Sequence, residues 1–283
     1  LINSVLRKIA LTEIELPNTD NKIYDMSIAY SCPENLVTHF VNDYGYIKAE
    51  EILKASVGAV PVFLRVNTLK TTSNELIEML SNEGITAKSL GNGTTLEVVD
   101  GGAVFKTELY KKGYFHAQDL ASQDCILNFA PKKNDVVFDV CAAPGGKSFT
   151  MAQMMENQGE IYSFDLYDHK IKLINDSAER LGISIINAQI GDASIYNDKL
   201  PKADKILCDV PCAGLGVIRR KPEIKYKDFG FVDKLCALQY NLLNNASLYL
   251  KKKGVLMYST CSLSKKENEE VCEKFLEEHK DFI

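Results

Sequence analysis

The chain has 283 residues, a length that by usual domain sizes predicts two compact units. Its hydrophobic fraction of 46% and its charged fraction of 25% are those of a globular protein and exclude a disordered or fibrous chain. Lys and Arg number 33 against 38 Asp and Glu, and the resulting net charge of −5 argues against a protein that coats nucleic acid by bulk attraction.

The sequence has neither a membrane span nor a metal-binding spacing. Its apolar stretches are interrupted within about ten residues, whereas a transmembrane helix needs roughly 20, and no signal peptide precedes them. Eight cysteines and four histidines occur without a CxxC pair, which argues for reduced thiols and against zinc. We therefore expect a cytoplasmic protein with no membrane or metal partner. Because the first residue is Leu1 and not Met, we expect the natural protein to be longer.

The first half of the chain predicts helices followed by a small α/β module. Residues 1–56 show helical spacing around a turn-rich linker, without recognisable chemistry. The next elements are a strand, a helix and two strands, at residues 63–68, 75–80, 85–87 and 96–99, with Ser73 as the N-cap of the helix. A further helix over 120–129 leads out of the module.

From residue 131 strands and helices alternate. We expect strands at 135–140, 160–165, 183–189, 205–209 and 254–260, and helices at 146–155, 170–181, 231–250 and 265–278. This alternation predicts a parallel sheet with helices on both faces. Ligands in such sheets bind beyond the carboxyl ends of the strands, so the residues that follow each strand carry the functional prediction.

The first three of these strands end in groups that suit an adenosine ligand. The first is followed by a glycine loop that runs from Cys141 to Lys147 and lets the backbone approach a ligand. The loop is not a Walker phosphate loop, because Cys141 occupies the position of the required glycine, and the dinucleotide pattern GxGxxG is absent. The second strand ends in Asp165, where a carboxylate binds ribose hydroxyls, and the third is followed by Asp192, which can accept from an adenine amine.

Two thiols follow the fourth and fifth strands. Cys212 lies in Asp-Val-Pro-Cys and Cys261 in Ser-Thr-Cys, so both are expected at one edge of the sheet. A thiolate can add to an electron-poor ring carbon, but its usual pKa of about 8.5 calls for a nearby positive charge, which Lys147 can supply. From the residues alone, either cysteine can be the nucleophile.

A basic run follows Cys212. It extends from Arg219 to Lys227 and contains five basic side chains and a single acidic one, that of Glu223. A solvated loop is the simplest interpretation of such a run. Next to two thiols, the run predicts a clamp for nucleic-acid phosphate.

These motifs closely resemble those of the Sun-type RNA cytosine-5 methyltransferases, in particular the bacterial 16S rRNA methyltransferase B branch. The resemblance lies in segments 139–147, 209–225 and 258–262 and covers about residues 56–279. It implies an α/β fold: a Rossmann-like S-adenosylmethionine-dependent methyltransferase sheet preceded by a small RNA-recognition-type subdomain and a helical N-terminal remnant. Its expected domains are a NusB-like helical remnant with a linker, the subdomain and the catalytic domain, at 1–56, 57–130 and 131–283. The family's sheet continues past the last helix, so its final hairpin would be deleted, disordered or outside this chain.

The resemblance also implies an activity and the residues that perform it. The activity is the transfer of a methyl group from S-adenosylmethionine to carbon 5 of a cytosine in RNA, with 16S rRNA as the expected partner and a monomeric enzyme. Cys261 would attack carbon 6 of the cytosine, and Cys212 would help to release the enzyme, with Asp209 and Lys147 as the other catalytic residues. The expected cofactor residues are Cys141, Ala142, Ala143, Pro144, Gly145, Gly146, Lys147, Asp165 at the ribose, Asp192 near the adenine and Asp209 near the methionine end. The expected RNA contacts are Arg219, Arg220, Lys221 and Lys225.

Two rival functions belong to other classes. One is a non-catalytic RNA-binding ribosome assembly factor on the same fold, against which the presence of both thiols and the intact loop argues. The other is a nicotinamide-dependent oxidoreductase, which the missing GxGxxG pattern disfavours.

Overall fold

A computed structural model describes residues 2–12, 15–91 and 93–283 of the chain. The helices are α1 Ile2–Ala10, α2 Lys22–Ala29, α3 Glu34–Ala55, α4 Ser73–Asn82, α5 Glu108–Lys111, α6 Leu120–Phe129, α7 Gly146–Met154, α8 Asp168–Leu181, α9 Val232–Ser247 and α10 Glu269–Glu278. The strands are β1 Val62–Val66, β2 Thr86–Leu90, β3 Thr95–Asp100, β4 Phe115–Ala117, β5 Val136–Asp139, β6 Glu160–Asp165, β7 Ile186–Ile190, β8 Ala203–Asp209 and β9 Leu250–Ser259. In these described ranges no helix is long and apolar enough to cross a bilayer.

The small module is a four-stranded antiparallel sheet in the order β2-β3-β1-β4. Its core contains Leu64, Leu76 and Leu96, all fully buried, so α4 packs on one face of the sheet. The predicted elements are confirmed, but β4 was missed because it has three residues and shows no alternation. The predicted N-cap was wrong by one residue. Thr72 caps α4, because its hydroxyl accepts from the Glu75 N–H while the Glu75 carboxylate accepts from the Thr72 N–H.

The large sheet is parallel, with strand order β7-β6-β5-β8-β9. Helices α7 and α8 cover one face through Met151 and Ile174, and α9 and α10 cover the other through Leu242 and Phe275. The predicted Rossmann-like α/β class is therefore confirmed. The order makes β5 the central strand and sets β8 and β9 side by side, with Asp209 opposite Ser259. The loops that follow these strands consequently meet at one edge.

The last predicted helix, over 265–278, was wrong at its start. Residues Lys265–Glu267 form a 3₁₀ turn, and α10 begins only at Glu269. Asn268 interrupts the helix with φ −118° and ψ −86°, and its side-chain amide donates to the carbonyls of Ser262 and Ser264. The sequence continues a helical pattern here, but the side chains in this turn bind the loop that carries Cys261.

Helices α2 and α3 pack against a segment of the part of the chain that forms the parallel sheet. The buried side chains of Leu36, Phe40 and Leu53 share an apolar cluster with Leu215 and Ile224, which lie in the segment between β8 and α9. This cluster holds in place the segment that contains the basic run at residues 219–227.

Candidate functional site

The loop after β5 forms one wall of a cavity of about 170 Å³. Gly145 precedes α7 at φ 103°, and a Cβ built there would lie 2.3 Å from the Phe149 ring, so the turn requires glycine. Lys147 and Asp209 also line this cavity. The small side chains of Ala142 and Gly146 leave the space open, as the sequence predicts for a ligand-binding loop.

Asp139, the last residue of β5, lines the same cavity and was not among the predicted site residues. Its side chain is buried, and its Oδ2 accepts from the Ser148 hydroxyl at 2.6 Å. Within the described ranges, Oδ1 has no hydrogen-bond partner. Burial raises the pKa of this carboxyl to about 7. Asp139 thus presents one buried oxygen without a partner at the wall of the cavity, which is a property of a ligand-binding group.

Asp165 and Asp192 lie beyond neighbouring strands, as predicted. Asp165 ends β6, is buried, and accepts from Lys170 Nζ at 3.3 Å. The Gly191 N–H donates to the Asp165 carbonyl at 3.0 Å, which holds the two strand ends together. Asp192 accepts from the Ser194 N–H and hydroxyl, and it lines a separate apolar cavity of about 260 Å³. The two carboxylates therefore lie at the ends of adjacent strands, but the lining of the cavity that contains Asp192 does not include Asp165.

Cys212 and Cys261 are brought together, with their Sγ atoms 3.1 Å apart and both thiols free. The Cys261 N–H also donates to Cys212 Sγ at 3.3 Å. Cys261 is exposed and lines a cleft of about 440 Å³, whereas Cys212 is half-buried. The hydrogen bond from Cys212 lowers the pKa of Cys261 to about 7, while this contact and burial raise that of Cys212. Of the two thiols, Cys261 is therefore the better nucleophile near neutral pH.

An ion pair connects the cavity and the cleft. Lys147 Nζ lies 2.6 Å from Asp209 Oδ2, and Asp209 Oδ1 accepts from the Ser259 hydroxyl at 2.7 Å. Burial opposes the charge of Lys147, but the Asp209 carboxylate more than offsets this and raises the pKa of the ammonium. Lys147 and Asp209 line both spaces, so these two predicted catalytic residues lie between the glycine loop and the exposed thiol.

The basic run lies beside the cleft, but its members differ. Arg219 donates to the Ala59 carbonyl, Arg220 pairs with Asp119, and both line the cleft. Lys221 is exposed. Lys225 was predicted to bind RNA, but it is buried and its ammonium donates to the carbonyls of Tyr30 and Ser31. That side chain holds the N-terminal helices in place and does not face a phosphate.

Comparison with known proteins identifies the family. The family model of the 16S rRNA methyltransferase RsmB/F matches residues 126–283, and that of the RsmF/B-like ferredoxin-like domain matches residues 32–97. The chain belongs to the RsmB/F family. The resemblance inferred from the motifs is thereby confirmed.

Two RsmB/F-like relatives and one crystal structure illustrate the similarity. The probable ribosomal RNA small subunit methyltransferase B of Bacillus subtilis is 35% identical over 99% of this chain and 64% of its own length. The human 28S rRNA (cytosine(4447)-C(5))-methyltransferase is 32% identical over 87% of this chain and 31% of its own length. The crystal structure of PH0851 aligns with a TM-score of 0.86 and 30% identity, over 98% of this chain and 62% of that one. The chain thus spans less than two thirds of these relatives.

Two further carboxylates in this RsmB/F site escaped the sequence analysis. Asp119 lines both the cavity and the cleft and is the partner of Arg220. Glu267 is fully buried between the two thiol loops. Asp119 was missed because it follows a strand too short to be recognised. Glu267 was missed because its neighbours in the sequence are mostly charged, which is typical of a solvent-exposed helix. Only Asp139 carried a signal, because it precedes the glycine loop directly.

Proposed function

We propose that this chain is the catalytic part of an S-adenosylmethionine-dependent RNA cytosine-5 methyltransferase that acts on 16S rRNA. The observation that carries the proposal is the contact of Cys212 with Cys261 beside the Lys147–Asp209 ion pair, at the ligand-binding edge of a Rossmann-like sheet. The names of the B. subtilis and human relatives support both the rRNA substrate and carbon 5 of cytosine. A protein that only binds RNA needs neither thiol.

Residues at the carboxyl ends of neighbouring strands of the parallel sheet fit the cofactor. The unpartnered Oδ1 of Asp139 can accept from the ammonium of the methionine end, and Asp209 lies at the same cavity. Asp165 is proposed to accept from the ribose hydroxyls and Asp192 from the adenine amine. The contact of Lys170 with Asp165 is long, at 3.3 Å, so hydroxyl donors can compete for that carboxylate. When bound, S-adenosylmethionine supplies an electrophilic methyl group on a sulfonium.

The groups that line the cleft are proposed to activate the cytosine. The Cys261 thiolate adds to carbon 6, and the electron pair of the 5,6 double bond makes carbon 5 nucleophilic enough to take the methyl group. Carbon 5 then loses its proton to a base, the double bond re-forms, and the thiolate leaves as the enzyme is released. Lys147 holds positive charge beside the reacting ring. Cys212, in contact with Cys261, is proposed to assist the release step.

RNA is proposed to lie along the cleft and across the basic run. Arg219, Arg220 and Lys221 are the proposed phosphate contacts, and binding releases the arginines from Ala59 and Asp119. We further propose the division into 1–56, 57–130 and 131–283 as helical, RNA-recognition and catalytic parts. Every proposed group comes from one chain, so the reaction needs no second copy, and a ribosomal substrate is consistent with a cytoplasmic enzyme.

Release of tritium provides the direct test. A 16S rRNA transcript made with cytidine labelled with tritium at carbon 5 is mixed with the protein and S-adenosylmethionine, because methylation at carbon 5 displaces that tritium into water. We expect release that requires the cofactor and is abolished by Cys261→Ser. Methyl transfer without tritium release would contradict carbon 5 as the target. The absence of both methyl transfer and tritium release would contradict the proposed methyltransferase activity.

A further inference from the structure

A buried carboxylate lies between the two thiol loops. Glu267 ends the 3₁₀ turn before α10, and none of its surface is exposed. A charged group is retained in such a place only where hydrogen bonds replace its lost hydration. Its contacts therefore indicate what it holds.

Those contacts go to the immediate neighbours of both cysteines. Glu267 Oε1 accepts from the N–H of Ala213, the residue after Cys212, at 2.8 Å. Oε2 accepts from the hydroxyl of Ser262, the residue after Cys261. One carboxylate thus ties the chain on one side of the thiol pair to the chain on the other.

A second side chain, that of Gln239, adds to this link between the two thiol loops, which we call the brace. Gln239, fully buried on α9, donates through Nε2 both to Glu267 Oε1 at 3.0 Å and to the Pro211 carbonyl at 2.9 Å. Cys212 is therefore held from the residue before it and the residue after it. The Gly216 N–H also donates to the Cys261 carbonyl at 2.8 Å, which adds a direct backbone contact between the two loops.

We infer that Glu267 is a positioning residue, which sets the separation of the Cys212 and Cys261 thiols through Ala213 and Ser262 and thereby controls the reactivity of Cys261. This inference rests on the proposed function for its effect on methyl transfer. Its geometric content, the spacing of two thiols, is independent of that function.

Three groups around Cys261 influence its pKa and determine how that pKa would respond to loss of the brace. The hydrogen bond from Cys212 favours the thiolate, Lys147 favours it by its charge, and Asp209 opposes it. Lys147 and Asp209 make no contact with Glu267 among their described hydrogen bonds. Loss of Glu267 should therefore weaken the Cys212 contact and leave the other two influences in place, so the pKa of Cys261 should rise.

The test compares Glu267→Ala, Glu267→Gln and, as a matched control, Glu270→Ala, which removes an exposed carboxylate from the same segment. Glutamine can still accept from Ala213 and donate to Ser262, whereas alanine can do neither. We expect Glu267→Ala to lower kcat about 100-fold, as a misplaced reacting group does, with the KM for S-adenosylmethionine unchanged. Glu267→Gln should recover most of that loss, and Glu270→Ala should match the wild type.

Two readouts are independent of methyl transfer. The first is the pH profile of Cys261 alkylation by iodoacetamide, which, among the two Glu267 variants and the Glu270 control, should shift to higher pH only in Glu267→Ala. The second is dibromobimane, which fluoresces after two adjacent thiols have displaced both of its bromides, with Cys212→Ala as the blank. If the wild type proves inactive on RNA but Glu267→Ala still loses the cross-link, the proposed function fails and the positioning role stands.

Ser262→Ala covers the case in which Glu267→Ala does not fold, as judged by loss of a cooperative urea unfolding transition. It removes the contact between the brace and the Cys261 loop together with the long hydrogen bond from the Ser264 N–H to Ser262 Oγ, and we expect a smaller shift of the alkylation profile in the same direction. Unchanged cross-linking and alkylation in Ser262→Ala and in a folded Glu267→Ala would overturn the inference. So would a Glu267→Gln variant as impaired as Glu267→Ala.

Discussion

The ammonium of Lys147 lies 2.6 Å from the carboxylate of Asp209, and the two strands that carry their loops, β5 and β8, are neighbours in the sheet. This ion pair lines both the cavity beside the glycine loop and the cleft that contains Cys261. The pair is only partly exposed, so solvent screens it less than it screens a surface salt bridge. The charges of this pair, one of which lies on the glycine loop, thus act on the exposed Cys261 thiol.

The first prediction concerns pH. Because the pKa of Cys261 is lowered to about 7, its thiolate fraction should rise through neutral pH, from about one tenth at pH 6 to about nine tenths at pH 8. Alkylation and single-turnover methyl transfer should follow this rise. Cys212→Ala removes the hydrogen bond that favours the thiolate, so its alkylation profile should move to higher pH. A profile that stays in place would show that Cys212 does not influence the ionisation of Cys261.

The second prediction concerns Asp165. If it accepts from the ribose hydroxyls, Asp165→Ala leaves those hydroxyls unmatched, at a cost of about 2–3 kcal/mol. The affinity for S-adenosylmethionine should fall by tens-fold or more in a calorimetric titration. Asp168→Ala is the control, because it removes an exposed carboxylate three residues further along. Equal affinity in both variants would refute the ribose contact.

The third prediction concerns the basic run. Replacing Arg219 and Arg220 with Ala should weaken RNA binding and reduce the salt slope by up to about two, since each neutralised phosphate contributes roughly 0.7–0.9. The affinity for S-adenosylmethionine should not change. The control replaces Lys251 and Lys252, which begin β9 at the opposite end from Cys261. Identical salt slopes for the two double variants would show that the run is a solvated loop.

The sequence predicted the elements that regular patterns describe. Helix α6 and strand β6 have the predicted bounds, at Leu120–Phe129 and Glu160–Asp165. The convergence of Cys212 and Cys261 also followed from strand ends alone, because parallel strands deliver their following loops to one edge. From the residues, however, the nucleophile stayed undecided, and family likeness was needed to favour Cys261.

The misses share a physical cause, which is contact between residues far apart in the chain. Lys225 lies in a basic run, yet its partners are carbonyls almost 200 residues upstream, so composition suggested exposure where the fold imposes burial. Glu267 has the local pattern of a surface helix, but its partners are Ala213, Gln239 and Ser262. Local periodicity contains no information about such contacts.

The fourth prediction concerns Asp139. In the folded protein burial raises the pKa of its carboxyl to about 7, from an ordinary value of 3.8. Between those pH values the folded state keeps a proton that the unfolded state has lost, so the free energy of unfolding falls as pH rises and levels off above about 7. Asp139→Asn cannot ionise and should lack this dependence.

At pH 7, Asp139→Asn should therefore be more stable than the wild type by at least about 1 kcal/mol, as measured by urea unfolding at a series of pH values. The same variant should bind S-adenosylmethionine more weakly, because an amide attracts the proposed ammonium less than a carboxylate does. If the difference in free energy of unfolding between Asp139→Asn and the wild type does not change from pH 4 to pH 7, the raised pKa is contradicted. Equal affinity would remove Asp139 from the cofactor site.

The last prediction separates the two cysteines by the order of events. If Cys261 forms the bond to carbon 6, Cys261→Ser removes the nucleophile, because a serine hydroxyl without a strong base is far too weakly ionised to replace a thiolate. Neither a covalent adduct nor methyl transfer should result. If Cys212 acts later, Cys212→Ala should still permit attack and methyl transfer but stall the release of the enzyme from its product.

Each variant is mixed with substrate RNA and S-adenosylmethionine at pH 8.5, where more of Cys261 is ionised than at neutral pH, and the mixture is run on a denaturing gel. A slow-migrating protein–RNA band is expected with Cys212→Ala and with neither Cys261→Ser nor the double variant. A band with Cys261→Ser alone would assign the attack to Cys212. If neither variant is trapped while the wild type releases tritium, Cys212 is not required for release and the proposed order of events is wrong.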